Sequence, residues 1–345
     1  MALVDADRLR QLPKAELHLH LDGSLRPATI EELARAVGLL PADAPPGAAV
    51  ERVRVRRRAG LREALAGFAL LLPLLQTREG LARATRELVE DLAADGVVYA
   101  ELRLCPRLCT EQGLSEDEVL ATVGHAAAEA EAASGTRVRL IACMMGGRSP
   151  EWNEPVVDAA IRRRGDGVIA VDLAGEVEGR SPQWVDAVAA LFARAGDAGL
   201  AITVHAGEAE PPQAIRTAID RYGAERLGHA TSLAEDPELL AEVAERGLVL
   251  ETCPLSNYWT RTPAQLPDLA AHPLGRLLAA GTRACVNTDD RSLFGNDLSG
   301  ELAAVAAAQQ LGDEQIGQLV ANGFAGAFDR GAAAAALRSV LPQRP

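Results

Sequence analysis

Short apolar runs recur along the chain, each bounded by Gly, Pro or Asp, and segments rich in Ala, Leu, Glu and Arg with helical period separate them. That alternation is the pattern of βα units around a parallel sheet. Eight runs stand out: Glu16–Leu21, Val97–Cys105, Arg137–Met145, Val168–Ala174, Ala201–Ala206, Arg226–Ala230, Leu248–Cys253 and Arg283–Thr288. Eight strands with intervening helices favour a closed (β/α)8 TIM-type barrel over an open sheet. One domain over residues 1–345 is the expectation, with a division into two as the alternative.

The spacing is uneven in one place. Between the first and second runs, over about Gly23 to Gly96, lie Pro41, Pro45, Pro46 and a basic patch at Arg52–Arg58. An extra helical insertion over 23–96 fits. It leaves from the C-terminal end of the first strand, where barrel enzymes keep their sites, so it is expected to lie over the mouth as a lid; a solvated peripheral helix pair is the alternative. The most apolar stretch, Ala66 to Leu75, contains Pro73 and is far shorter than the ~20 residues of a spanning helix, so it reads as a packed helix. From Gly331 an alanine-rich segment predicts a closing helix.

Composition narrows the function classes. The formal charge of −13 repels phosphate backbones and anionic lipid, which argues against nucleic acid or membrane as a partner and for small ligands. No oligomeric state follows from the pattern. Five cysteines (Cys105, Cys109, Cys143, Cys253, Cys285) form no CxxC pair and read as reduced core thiols. The acidic, polar start MALVDADRLRQLPKAE is unlike a secretory leader, so the expected compartment is the cytoplasm.

The chemistry concentrates at strand ends. Of six histidines, His18, His20, His205 and His229 stand in strand motifs and His272 precedes the last strand, while His125 sits in a helical stretch and reads as surface. In Glu16-Leu-His-Leu-His-Leu-Asp22 side chains alternate, so His18 and His20 face the same way. Such a pair also arises in cores, and other ligands are needed before it means a metal. Thr203-Val-His-Ala-Gly-Glu208 adds an imidazole, with Gly207 able to turn a carboxylate back over the site. Asp289-Asp290 follows the last run, and a helix N-cap with a first-turn acid is the plainer reading of that pair alone. Taken together on one rim, His18, His20, His205 and Asp289 offer three nitrogens and one oxygen. That set suits one Zn2+ with room for a water whose pKa falls from about 15.7 toward ~7.

The blocks PKAELHLHLDGSL, VDLAGE, TVHAGEAE, RLGHA, ETCPLSN and VNTDDR resemble, in this order, those of the adenosine deaminases, from about Pro13 to Phe294. The resemblance implies zinc-dependent hydrolysis of a 6-aminopurine nucleoside to its 6-oxo product and ammonia. It implies that His18, His20, His205 and Asp289 bind the metal, that His229 orients the hydroxide attacking C6, and that Glu208 delivers a proton to purine N1. Asp290 resembles the residue that meets N7, Gly175 the one whose N–H meets N3, and His20 and Asp22 groups on the substrate side, Asp22 at the sugar hydroxyls. Charge developing on N1 calls for a protonated Glu208, and N7, an acceptor, calls for a protonated Asp290.

Several positions depart from the family pattern. Arg291 stands where proline is frequent, Ala230 where glycine is usual, and Cys109 where a loop histidine occurs; all are expected around the sugar side and pocket wall. Arg291 and the Arg52–Arg58 patch could meet a carboxylate on a bulky 5′ group, as in 6-amino-6-deoxyfutalosine. Adenosine and 2′-deoxyadenosine are the first expectation, that nucleoside the second and adenine the third. A silent purine-binding barrel would have lost Glu208 or His229, and both are present. The cytidine-type zinc motif is absent: Cys253-Pro254 reads as packing, Ser256-Asn257 as rim hydrogen bonding, and His272 as part of a helix start.

Overall fold

A computed structural model describes residues 6–341 apart from 42, 57, 176–178 and 263–265. Eight parallel strands pair in sequence order: β1 (Lys14–His20), β2 (Val97–Leu104), β3 (Arg137–Met145), β4 (Val168–Ala174), β5 (Ala201–Ala206), β6 (Arg226–His229), β7 (Val249–Thr252) and β8 (Arg283–Val286). The ring closes through a parallel bridge between Leu19 and Asp289, with His20 N–H donating to Asp289 O at 2.9 Å and Asp289 N–H to His18 O at 3.1 Å. The expected eight-stranded barrel is therefore present, and β3, β4 and β5 coincide with the apolar runs. β7 and β8 are shorter than theirs: Leu248, Cys253, Asn287 and Thr288 lie outside the strands.

The outer helices begin where polar caps say they should. Thr77, Ser115, Ser149, Ser181 and Asp236 each accept a backbone N–H of the following helix, which satisfies one orphan donor. Their apolar faces pack with the outward faces of the strands into one extended core. The closing helix is found at Arg330–Val340.

Between β1 and the helix Arg78–Ala94 the chain makes short helices at Pro27–Ala36, Ala48–Val53, Leu61–Ala64 and Phe68–Leu71. The stretch Ala66–Leu75 is not the single helix expected. It breaks into 3₁₀ turns at Leu65–Gly67 and Leu72–Leu75 around one α-turn. Pro73 lacks the N–H a continuing helix needs, and Gly67 is pressed so closely on Val53 that a Cβ would lie 2.6 Å from its carbonyl oxygen. Leu61, Leu65, Phe68 and Leu72 all face the mouth of the barrel. Of the basic patch, Arg57 lies outside the described residues.

Candidate active site

The C-terminal strand ends bring together side chains that are distant in sequence. His18 and His20 come from β1, His205 from β5, His229 from the end of β6, and Asp289 from just past β8. His20 Nε2 and His205 Nε2 are 3.2 Å apart; Asp289 Oδ1 is 3.3 Å from His18 Nε2 and 3.4 Å from His20 Nε2. These four form a cluster that could hold a metal ion. Ligands at ~2.0–2.1 Å from one ion stand roughly 3–3.5 Å from each other, as these do. His18 Nε2, fully buried, has no well-aligned hydrogen bond among the described residues, which leaves its lone pair free for an ion. A second grouping joins His18, His229 and Asp289 to Cys253, but burial raises the Cys253 thiol well above its usual range. A thiol held neutral is a poor ligand, so the His20 and His205 set fits better.

Two of the nitrogens turned away from the cluster, those of His18 and His205, are fixed from below. His18 Nδ1 donates to Glu251 Oε2 at 2.9 Å and His205 Nδ1 to Asp172 Oδ2 at 2.9 Å. Arg103 joins both supports, donating to Asp172 at 2.8 Å and to Glu251 at 2.7 Å; Arg226 and Thr203 complete Glu251 at 2.6 and 2.8 Å. These ion pairs hold Asp172 and Glu251 as carboxylates against the opposing effect of burial. A ring N–H given to a carboxylate fixes the tautomer and leaves the other nitrogen to bind a metal. Sequence reasoning passed over this layer. Its signal was a charged residue inside each of three short, mostly apolar strands: Arg103, Asp172 and Glu251.

His229 is neutral, held well below its usual range by burial. Asn257 Nδ2 donates to its Nδ1 at 3.3 Å, so its Nε2 carries the proton, 3.7 Å from Glu208 Oε2 and 4.0 Å from Asp289 Oδ2. Asn257 Oδ1 in turn accepts from His272 Nε2 at 3.2 Å, and His272 Nδ1 accepts from Leu274 N–H at 3.2 Å. His272 therefore does more than start a helix. Asp289, at φ 65°, and His229, at φ 60°, both occupy the left-handed region, as does Ala230. Non-glycine residues there cost on the order of 1–3 kcal/mol each, and such strain gathers at functional sites.

Beside the cluster is a cavity of about 310 Å³, whose lining includes Asp22, Gly175, Glu208 and Asp290. Gly207, at φ 70°, turns Glu208 over the cluster. Burial, then Asp289 and Glu210, raise the Glu208 carboxyl well above its ordinary range. Asp290 is raised likewise by burial and then Asp289, and its buried Oδ1 has no partner among the described residues. Asp290 occupies the cap position of the turn Arg291–Phe294 without capping it, so the helix-cap reading does not hold for its side chain. A Cβ at Gly23 would sit 1.8 Å from Asp290 Oδ1, which explains that glycine. Asp22 is raised to about 7 by burial. Ser256 donates to Asp289 Oδ2 at 2.6 Å, and His125 is exposed.

Arg291, Ala230 and Cys109 do not line this cavity, contrary to the expectation that they sit on its wall. Ala230 and Cys109 are buried in the core, and Arg291 turns into a neighbouring hollow. Among the described residues, the cation that does line the wall is Arg148.

A sequence profile described as "Adenosine deaminase" matches residues 13–343. The chain belongs to the adenosine deaminase family. It is 35% identical over 329 residues to the adenosine deaminase of Enterococcus faecalis, covering 94% of each chain. It is 32% identical over 330 residues to that of Xenopus tropicalis, covering 92% of this chain and 91% of the other. Among solved structures it is similar to an adenine deaminase from Arthrobacter aurescens, with TM-score 0.85, 28% identity and 95% and 98% coverage. An amidohydrolase from Burkholderia ambifaria with bound Zn aligns with TM-score 0.83, 26% identity and 99% and 95% coverage. Membership in this family makes the site that of a deaminase, a hydrolase acting on C–N bonds. No described helix is long and apolar enough to cross a membrane.

Proposed function

We propose that this adenosine deaminase relative hydrolyses adenosine and 2′-deoxyadenosine to inosine and 2′-deoxyinosine with release of ammonia, using one Zn2+ per chain, in the cytoplasm. The carrying observation is the convergence of His18, His20, His205 and Asp289 beside a cavity lined by Glu208, Gly175 and Asp290. Three imidazoles and one carboxylate are a donor set suited to zinc, and the Burkholderia relative holds that metal. When bound, zinc supplies an activated water at neutral pH.

The chain's own residues do the rest. Glu208, protonated in its buried position, donates to purine N1 as attack at C6 drives charge onto that nitrogen. His229 presents its Nε2 proton to the attacking water and orients it. Asp290, also protonated, donates to N7, Gly175 N–H donates to N3, and Asp22 with His20 faces the sugar. Gly175, at φ 78°, lets the backbone approach the ring closely. The insertion, with Leu61, Leu65, Phe68 and Leu72 over the mouth, acts as the lid that excludes bulk water in a single-domain barrel. Substrate should slow limited proteolysis within residues 24–77; unchanged cleavage would count against the lid.

A second reading, a purine nucleoside bearing a bulky acidic 5′ group such as 6-amino-6-deoxyfutalosine, is favoured by that apolar wall and by Arg148 among the lining residues. Comparing kcat/KM for adenosine, 2′-deoxyadenosine, 6-amino-6-deoxyfutalosine and adenine, with metal content measured alongside, separates the readings. A hundredfold preference for either of the last two would displace the first, and no ammonia from any of them would leave a silent purine-binding barrel.

A further inference from the structure

Two of the arginines that do not line the purine cavity share a hollow elsewhere. Arg54, at the end of the helix Ala48–Val53, and Arg291, next to Asp290, line a separate hollow of about 210 Å³, and no described residue lines both cavities. It lies at the joint between insertion and barrel, where Val55 N–H donates to Leu293 O at 2.9 Å. Arg26 also lines it but is matched by Asp91, at 2.7 Å, and by Glu90, at 2.9 Å. Arg54 and Arg291 form no ion pair among the described residues, although Arg291 lies within electrostatic reach of the buried Glu16. Their Arg54 Nε and Arg291 Nη1 atoms are buried without hydrogen-bond partners.

The arrangement is built rather than incidental. Gly295, at φ 66°, seats Arg54: a Cβ there would lie 2.5 Å from Arg54 Nη1. Arg291 Nε donates to Asn296 O at 3.3 Å, which fixes the second guanidinium. Asn296 Oδ1, on the same wall, is buried and also unpartnered. Its amide is oriented by the Thr288 carbonyl, which can only accept and takes a bond from Nδ2 at 3.0 Å. A ligand that drew on all three groups would accept charge-assisted bonds from two guanidiniums and return a proton to one carbonyl oxygen.

We infer that this joint is a binding site for a small protonated oxyanion of the hydrogen phosphate type. Hydrogen phosphate has both the acceptors and the hydroxyl; sulfate has the acceptors alone. Such an anion ties the insertion, through Arg54, to the loop that carries Asp289 and Asp290, through Arg291. The inference does not depend on which purine is deaminated.

Titration calorimetry of inorganic phosphate into the metal-loaded protein tests it, with sulfate and chloride at matched ionic strength. One phosphate should bind per chain, with sulfate weaker by about tenfold or more, and Arg54→Gln and Arg291→Gln should each weaken phosphate by about tenfold or more. Arg54→Gln lies on the insertion, so it carries the test if Arg291→Gln disturbs Asp290. No phosphate binding, equal binding of sulfate, or binding undiminished in Arg54→Gln, as phosphate lodged on the metal would give, overturns the inference.

Discussion

Asn257 offers the sharpest test of how the site holds its protons. The chain of bonds from Leu274 N–H through His272 and Asn257 to His229 starts at a backbone donor, and each step fixes the direction of the next. His272 takes part as a neutral ring, since burial lowers it to about 3. Removing the amide in Asn257→Ala leaves His229 Nδ1 buried without a donor, at about 1–3 kcal/mol, or roughly 5–150-fold in kcat. Asn257→Asp is nearly isosteric yet should be worse. An ionised carboxylate there draws the proton onto Nδ1 with a charge-assisted bond of about 1.5–3 kcal/mol, so the combined loss is roughly 10²–10⁴-fold. The sign of the pH effect follows: protonating that carboxyl restores a donor toward Nδ1, so the defect of Asn257→Asp should shrink as pH falls. Steady-state ammonia release across pH, with metal content checked in each variant, measures this. Equal kcat in the Ala and Asp variants at neutral pH, or a loss confined to KM, would refute the tautomer argument.

The remaining predictions address metal, proton donor and stability. Asp289→Ala should abolish tightly bound metal, whereas Glu208→Gln should keep metal and substrate affinity and lose most turnover; equal metal loss in both would sink that division of roles. Gly228→Ala places a Cβ 2.9 Å from His18 Cε1 and 3.2 Å from His205 Cα, so metal affinity measured against a chelator should fall about 10–100-fold. Glu301 is fully buried and raised by burial to about 8 from 4.5. Between those values the folded state keeps a proton that the unfolded chain has lost, so stability falls as pH rises through that window. Glu301→Gln should flatten urea-measured stability between about pH 5 and 8, on the order of a few kcal/mol; an unchanged slope would contradict the assignment.

The barrel was legible because apolar runs of strand length alternate with helical segments, and the rim chemistry because imidazoles and acids stand at the ends of those runs. Lys14, by contrast, opens β1 two residues ahead of the run that predicts it, buried, with Nζ donating to Leu9 O at 2.8 Å and Leu12 O at 3.0 Å. Hydrophobic patterning cannot announce a lysine whose partners are carbonyls of the preceding turn. The same holds more strongly for Arg103, Asp172 and Glu251. Each interrupts a strand that otherwise reads as core, and each becomes intelligible only once β2, β4 and β7 are arranged around one axis. Leaving any of them unpaired would cost about 3–5 kcal/mol, so their presence depends on contacts between residues 69 and 148 positions apart. Local patterning records which faces are apolar. The orientation of His18 and His205, and with it the site's fitness for a metal, is decided by this long-range polar layer beneath the rim.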